Sequence, residues 1–345
     1  MVRRLWLLVA VALTACAAPP TPRPTATPFT GVARPVLIDS DLAPDDWLAI
    51  LYLLRRPEVD VQAITVTGTG EAHCEPGLRL ARGLTALAGR PDLPVACGRE
   101  TPLRGEHTFP AEWRERVDAG LGLTLPENPA PAPASSAVAL LTDRLRAAPG
   151  QVTVLTLGPL TNLAEALQAA PDLAGRIAMV YSMGGAVDEP GNVGASGAGL
   201  ENPFAEWNIY VDPHAANLVL QSGAPVTLVP LDATRYAPIT LDFYRRLERD
   251  RATPEAEFVY AVLTEQKSFI EAGGYFFWDP LAAAILVDES LAAFDRRPLG
   301  VTEAEGPDSG RLGPAAAGPA LRFAVRADGP RFEQAFLDAL NAGRP

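Results

Sequence analysis

The reading turns on residues 36–50, VLIDSDLAPDDWLAI. An apolar run ends in Asp39 and Asp41. A proline, two further aspartates and a second apolar run follow. A strand that gives out into the first turn of a helix accounts for both halves, because Pro44 suits a helix start, where its missing N–H is not needed. Asp45 and Asp46 then lie in that first turn, where free N–H groups and the helix dipole favour an anion by about 0.3–1 kcal/mol. This relieves one carboxylate, not four. Crowded like charges must take up a proton or find a cation. All-oxygen ligands suit Ca²⁺ or Mg²⁺, with Ca²⁺ favoured where carboxylates and carbonyls fill most of the shell. His73, His107 and His214 show no ligand spacing, which argues against zinc.

Outward from this stretch, short β-branched runs alternate with helical patterns. Strands are expected at 35–39, 60–67, 93–97, 152–157, 176–183 and 225–231. Helices are expected at 45–55, 76–89, 136–147, 160–170, 212–221, 255–271, 279–287 and 330–342. Apolar strands separated by helices predict an α/β fold, a doubly wound, mostly parallel open sheet covered on both faces. Ligands bind such sheets at the carboxyl ends of the strands. The clusters TGTGEAHC, GPLTN, MGGAVDEPGN and LDATRY each follow a predicted strand. Stretches 101–134 and 188–206 are too long for simple connectors, and loops of that length often carry lids or binding residues.

The chain has 345 residues, 48% of them hydrophobic, enough for a large core, and a net charge of −12. That charge excludes a nucleic-acid partner, which needs a basic face. Residues 1–15 carry two arginines and then an apolar run too short to need to span a membrane. Leu13-Thr14-Ala15-Cys16 resembles the lipobox of bacterial lipoproteins, in which the cysteine thiol carries lipid. Residues 16–34, rich in Pro, Thr and Ala, read as a tether, and 35–345 as the folded domain. The expected localisation is the bacterial cell envelope, lipid-anchored through Cys16 and outside the cytoplasm. Cys74 and Cys97 remain, paired or free.

DSDLAPDD resembles the Asp-x-Asp-Pro-Gly-x-Asp-Asp motif of the inosine-uridine-preferring nucleoside hydrolases, which are calcium-dependent N-ribohydrolases. VTVLTLGPLTNLAEAL, RIAMVYSMGGAV, AEWNIYVDPHAA and WDPLAAA are similar to further blocks of that family, in order and at compatible spacing. The resemblance implies calcium held by Asp41, Asp46, the Leu157 carbonyl and Asp279. It makes Asp41 the general base toward a water that the metal acidifies, ahead of attack on the ribose C1′. Asp45, Asn192, Glu206 and Asn208 match ribose-binding positions, and Glu71 stands near another. Cleavage would pass through an oxocarbenium-like state that an anionic pocket stabilises.

Two departures stand out. Leu42-Ala43 replaces Pro-Gly. Trp278 replaces the histidine that serves as leaving-group acid in members accepting inosine and uridine; with Trp207 it resembles the purine-preferring branch, both rings being stacking candidates unless they are core. The expected function is hydrolysis of purine ribonucleosides, suited to purine salvage. The expected partners are a nucleoside and a membrane, with a homo-oligomer allowed. The alternative is a non-catalytic nucleoside- or sugar-binding lipoprotein. A phosphotransferase with an Asp-x-Asp nucleophile fits less well, because Ala43 stands where that pattern wants Thr or Val.

Overall fold

A computed structural model of the protein describes residues 29–131, 135–315 and 318–342. The predicted leader, most of the tether and Cys16 lie outside the described residues. Among the described residues, nine strands form one sheet in the order β3-β2-β1-β4-β5-β6-β9-β7-β8. They are β1 (Arg34–Ser40), β2 (Val59–Val66), β3 (Val95–Cys97), β4 (Val152–Thr156), β5 (Ile177–Met183), β6 (Val226–Val229), β7 (Ala292–Val301), β8 (Leu312–Pro314) and β9 (Ala320–Ala327). Strands β1 to β6 and β9 run parallel, whereas β7 is antiparallel to both β9 and β8.

Parallel neighbours cannot be joined by tight turns, so helices cross over and bury both faces. Strand β4 is buried along its whole length, as is β1 from Val36 onward. One face packs against helices Pro44–Leu54, Cys74–Leu87, Leu241–Arg249, Trp278–Val287 and Gly329–Asn341, with Trp47, Phe243, Phe277 and Phe336 at the centre. The other packs against Ala137–Ala147, Thr161–Ala169 and Pro213–Leu220. Strand β1 has β2 on one side and β4 on the other. The winding direction reverses there, which opens a crevice at the carboxyl ends of those strands.

The doubly wound α/β fold is therefore the one expected. Several features depart from the predicted elements, among them helix Ala111–Asp118 within the long stretch 101–134. The single helix expected over 255–271 is two, Pro254–Glu265 and Lys267–Glu271, broken at Gln266 where ψ opens to 9°. Strands β7, β8 and β9 were not expected. Helix Leu241–Arg249 was also missed, although Thr240 caps it by accepting from the Phe243 N–H, and Phe243, Tyr244 and Leu247 form its buried stripe.

Candidate active site

Strand β1 ends at Ser40, and the chain turns sharply through Leu42, whose φ of +59° is left-handed. Such a conformation costs a non-glycine residue about 1–2 kcal/mol, so the surroundings must hold it. The Trp47 indole donates to the Leu42 carbonyl at 2.7 Å, and the Leu42 N–H donates to Ser40 Oγ at 3.0 Å. Asp46 Oδ1 accepts from the Ser40 hydroxyl and from the N–H groups of Asp41 at 3.1 Å and Leu42 at 3.3 Å. The turn is thus wrapped around one aspartate oxygen. The other, Asp46 Oδ2, has no donor, and neither has Asp279 Oδ1.

Helix Trp278–Val287, from the far end of the chain, brings Asp279 in its own first turn to the first turn of Pro44–Leu54. One carboxylate oxygen each from Asp45, Asp46 and Asp279 lies within 4.8 Å of the others, and all three residues are buried. Asp45 faces both the backbone N–H and the carboxyl of Asp279. Asp41 borders the trio through Asp46, and its own carboxylate accepts from the N–H of Ala43 at 3.2 Å and of Glu71 at 3.3 Å. A β-carbon at Gly158 would come within 2.7 Å of the Asp41 β-carbon, and one at Gly70 would fall inside the Asp41 side chain. Only glycine lets these two turns close on that residue.

Asp39 stays out of the cluster. Residues two apart on a strand share a face, so a strand running through both would point Asp39 with Asp41. The strand stops at Ser40, and Asp39 Oδ1 accepts instead from Thr65 Oγ1 at 2.6 Å and Asn162 Nδ2 at 2.8 Å. The crowd is therefore Asp41, Asp45 and Asp46 with Asp279, and Glu71 beside them.

Burial dominates the electrostatics. It pushes the Asp41 carboxyl up to about 7 and the Asp45 carboxyl up to about 6. Asp46, Asp279 and Glu71 are raised well above the ordinary carboxylate range, by burial first and by neighbouring carboxylates next. Arg116 and Arg114 partly offset Glu71. Arg114 is itself spent on the Gly68 carbonyl at 2.8 Å. Donorless oxygens on two clustered, buried carboxylates fit a hard divalent cation, which wants oxygen ligands and supplies the missing positive charge.

The remaining predicted residues line this crevice or support it. Glu206 caps helix Trp207–Val211, accepting from Asn208 and Ile209 N–H groups and from Gly185 N at 2.9 Å; burial pushes its carboxyl up to about 7. Asn208 Nδ2 donates to the carbonyls of Leu157 at 3.3 Å and Met183 at 3.2 Å, so the Leu157 carbonyl already has one donor. Asn192 Oδ1 accepts from the Trp207 N–H at 3.2 Å. The Trp207 ring is core, stacked on Phe109 at 5.0 Å and packed against Trp113 and Tyr210. Trp278 is half-buried in an aromatic wall with Phe269, Tyr275 and Phe276.

Sequence reasoning passed over the Tyr275 hydroxyl. It is buried without a hydrogen-bond partner among the described residues. Burial, then Asp45, Glu71, Asp279 and Asp46, raises it well above the ordinary phenol value. Cys74 and Cys97 form a disulfide, with Cα atoms 5.6 Å apart, joining the start of helix Cys74–Leu87 to the end of β3.

The sequence pattern of the inosine-uridine preferring nucleoside hydrolases matches residues 36–334. The chain belongs to this family. Its enzymes are ribonucleoside hydrolases, N-glycosidases by reaction class. Among relatives of this family member, the pyrimidine-specific ribonucleoside hydrolase RihA of Citrobacter koseri is 40% identical over 64% of this chain and 67% of its own length. The enzyme of the same name from Escherichia coli O139:H28 is 39% identical over 61% of this chain, and the match spans 64% of that enzyme, somewhat under two thirds. A plant nucleoside hydrolase superimposes with a TM-score of 0.81 at 29% identity, covering 90% of this chain and 100% of that one. A purine-preferring ribonucleoside hydrolase from Gardnerella vaginalis gives 0.76 at 28% identity, over 89% and 98%.

Proposed function

We propose that the protein hydrolyses the N-glycosidic bond of ribonucleosides to free base and ribose, with Asp41 as general base and Ca²⁺ as cofactor. The observation that carries this reading is the buried trio Asp45, Asp46 and Asp279 with Asp41 against it, at the switch point of a nucleoside hydrolase fold. Asp46, Asp279, Asp45 and Asp41 would hold the cation, with the second lone pair of the Leu157 carbonyl available. When bound, it supplies charge neutralisation and lowers the pKa of nearby water.

In this reading Asp41, its carboxylate aimed by the Ala43 and Glu71 N–H groups, takes a proton from a water as that oxygen bonds to C1′ and the bond from C1′ to the base breaks. The base leaves with the bonding pair and takes a proton from solvent, to which Asp41 later returns its own. The acidic walls, Glu71 included, stabilise the positive charge that develops on the sugar. Asn208 has its NH₂ committed to two carbonyls and keeps its side-chain oxygen for a ribose hydroxyl; Glu206 and Asn192 hold its helix in place. Trp278 lends its face to the base. The Tyr275 hydroxyl, buried without a partner among the described residues, is the donor left for the bound nucleoside.

The aromatic wall supports a purine substrate, which offers the larger stacking surface. The 40% identity to pyrimidine-specific enzymes favours a second reading, in which uridine or cytidine is preferred. One experiment separates them: the soluble part of the protein is incubated with inosine, guanosine, adenosine, uridine and cytidine, with and without chelator, and free base and reducing sugar are assayed. Purine release that chelator abolishes supports the first reading. Pyrimidine release supports the second, and intact nucleosides throughout refute both.

We also propose that residues 1–15 direct export, that Cys16 carries the lipid anchor of an envelope protein, and that residues 16–34 tether the domain 35–345. Mass spectrometry of the membrane-extracted N-terminus tests this; an unacylated Cys16 or an uncleaved leader refutes it.

A further inference from the structure

The AEWNIYVDPHAA block contributes Asp212 and the GPLTN block Thr161, and neither is used by the chemistry above. Asp212 is fully buried and caps helix Pro213–Leu220, its Oδ1 accepting from the Ala215 N–H at 3.0 Å. Its Oδ2 accepts from the Leu103 N–H at 2.7 Å and from Thr161 Oγ1 at 2.9 Å. Beyond Thr161 lie two more buried hydroxyls, Thr69 Oγ1 at 3.1 Å and then Thr67 Oγ1 at 3.0 Å from Thr69.

A hydroxyl has one proton to give, and a carboxylate only accepts. Thr161 spends its proton on Asp212 and so must accept from Thr69; Thr69 in turn must accept from Thr67. One carboxylate thereby sets the direction of every bond in the row. The far end of the row is the 67–70 turn, closed by the Gly70 N–H on the Thr67 carbonyl at 3.0 Å. That turn presses Gly70 against Asp41, and from it the Glu71 N–H reaches Asp41 Oδ2. The Thr67 methyl carbon lies where a Gly158 side chain would meet both it and Asp41.

We propose that Asp212 is a positioning residue for the glycosidic cleavage, the terminal acceptor of a one-way hydroxyl row that fixes the turn seating the Asp41 carboxylate. This rests on the hydrolase reading above. Asp212 also joins four parts of the site through hydrogen bonds alone: the turn after β2, the loop after β4, the block that carries Asn208, and the segment at Leu103. Small misplacements of reacting groups cost large factors in rate, so the effect falls on turnover and not on substrate binding.

The test compares Thr69→Val, Thr69→Ser, Asp212→Asn and the double variant Asp212→Asn/Thr69→Val. Valine keeps the shape of threonine, cuts the row and leaves both backbone caps on Asp212. Asparagine keeps one acceptor oxygen and turns an NH₂ toward a backbone N–H or toward Thr161, which reverses the row. Thr69→Val is expected to lose about tenfold or more in kcat, with KM within about threefold of wild type, and Thr69→Ser to recover most of the loss. The double variant should be no slower than Asp212→Asn alone, since both changes break one path. A second readout does not depend on turnover: amide exchange across 67–72 should quicken in Thr69→Val and Asp212→Asn, while helix Trp278–Val287 stays as protected as in wild type. Wild-type kcat in Thr69→Val, losses that multiply in the double variant, or unchanged exchange across 67–72 would overturn the proposal. A wild type that releases no base sinks the hydrolase reading separately, and the exchange data still decide whether the row holds the turn.

Discussion

Asp46→Asn should change the protein's stability in opposite directions with and without calcium. Asparagine keeps an oxygen at the Oδ1 position, where the Ser40 hydroxyl and the Asp41 and Leu42 N–H groups converge, and puts an NH₂ at the donorless Oδ2 position. The turn is preserved and one negative charge is removed. Two unit charges at 4.8 Å, the bound within which the trio's oxygens lie, repel by about 3.5 kcal/mol at an effective dielectric of about 20. Proton retention by Asp46 and Asp279, whose carboxyls are raised by burial and by neighbouring carboxylates, lowers the gain to about 1–3 kcal/mol. In chelator the variant should therefore melt about 2–6 °C above wild type. Wild type with calcium at about a thousand times its Kd gains about 4 kcal/mol, whereas the variant, lacking a ligand, gains little. The order then reverses. Calorimetric melting in chelator and in calcium checks both signs. If Asp46→Asn melts below wild type by the same margin in both buffers, the carboxylate serves the turn and cages no cation.

Further outcomes follow from the same structure. Asp41→Asn should still fold and lose about 10²–10⁴ in base release; wild-type rates by chromatography refute the base assignment. Trp278→Ala should reduce kcat/KM for inosine more than for uridine, by about tenfold in the ratio if stacking is worth about 1–3 kcal/mol per base, and equal losses refute stacking. The cation-free protein should lose stability as pH rises. The folded carboxyls bind protons up to about 6 at Asp45 and about 7 at Asp41 against 3.8 ordinarily, so their favourable contribution is complete below that lower value and gone above the higher ones. Calcium must displace those protons, so its apparent affinity by calorimetry should strengthen from pH 5.5 to pH 8, and a flat profile refutes the site. Replacing Cys74 and Cys97 together by serine removes a cross-link spanning 23 residues and should cost about 3 kcal/mol in denaturant unfolding; an unchanged midpoint refutes a stabilising role.

What could be read from the chain alone follows its local order. Strands β1 to β6 are legible because most of their length is buried on both faces and reads as short apolar, β-branched runs. The end of each marks the crevice. Strand β7 reads AAFDRRPLGV, with charges and a proline, because it closes the antiparallel end of the sheet and is only partly buried. Nothing in its pattern separates it from a loop. The aspartates of residues 39–46 show that negative charge is concentrated, but not which carboxylates meet. The rule that residues two apart share a face holds only inside a strand, and β1 ends at Ser40, one residue before Asp41. The left-handed φ at Leu42, which no composition signals, then turns the chain into the next helix. Asp279 joins from the other end of the chain, and only the resemblance to other sequences could pair it with Asp46.

The Tyr275 hydroxyl and the row ending at Asp212 were harder still to foresee, for a related reason. In YFFWDP the tyrosine is one aromatic among four, and its hydroxyl matters only because the fold turns it toward Asp45 and Glu71. Thr69 and Thr161 are 92 residues apart and read as ordinary loop and helix-start residues. What distinguishes them is that the fold buries both. A buried hydroxyl must find an acceptor, and in this fold each finds the next until Asp212 ends the row. Sequence names polar groups; the fold decides which of them have been deprived of solvent, and the chemistry proposed here is carried by those groups.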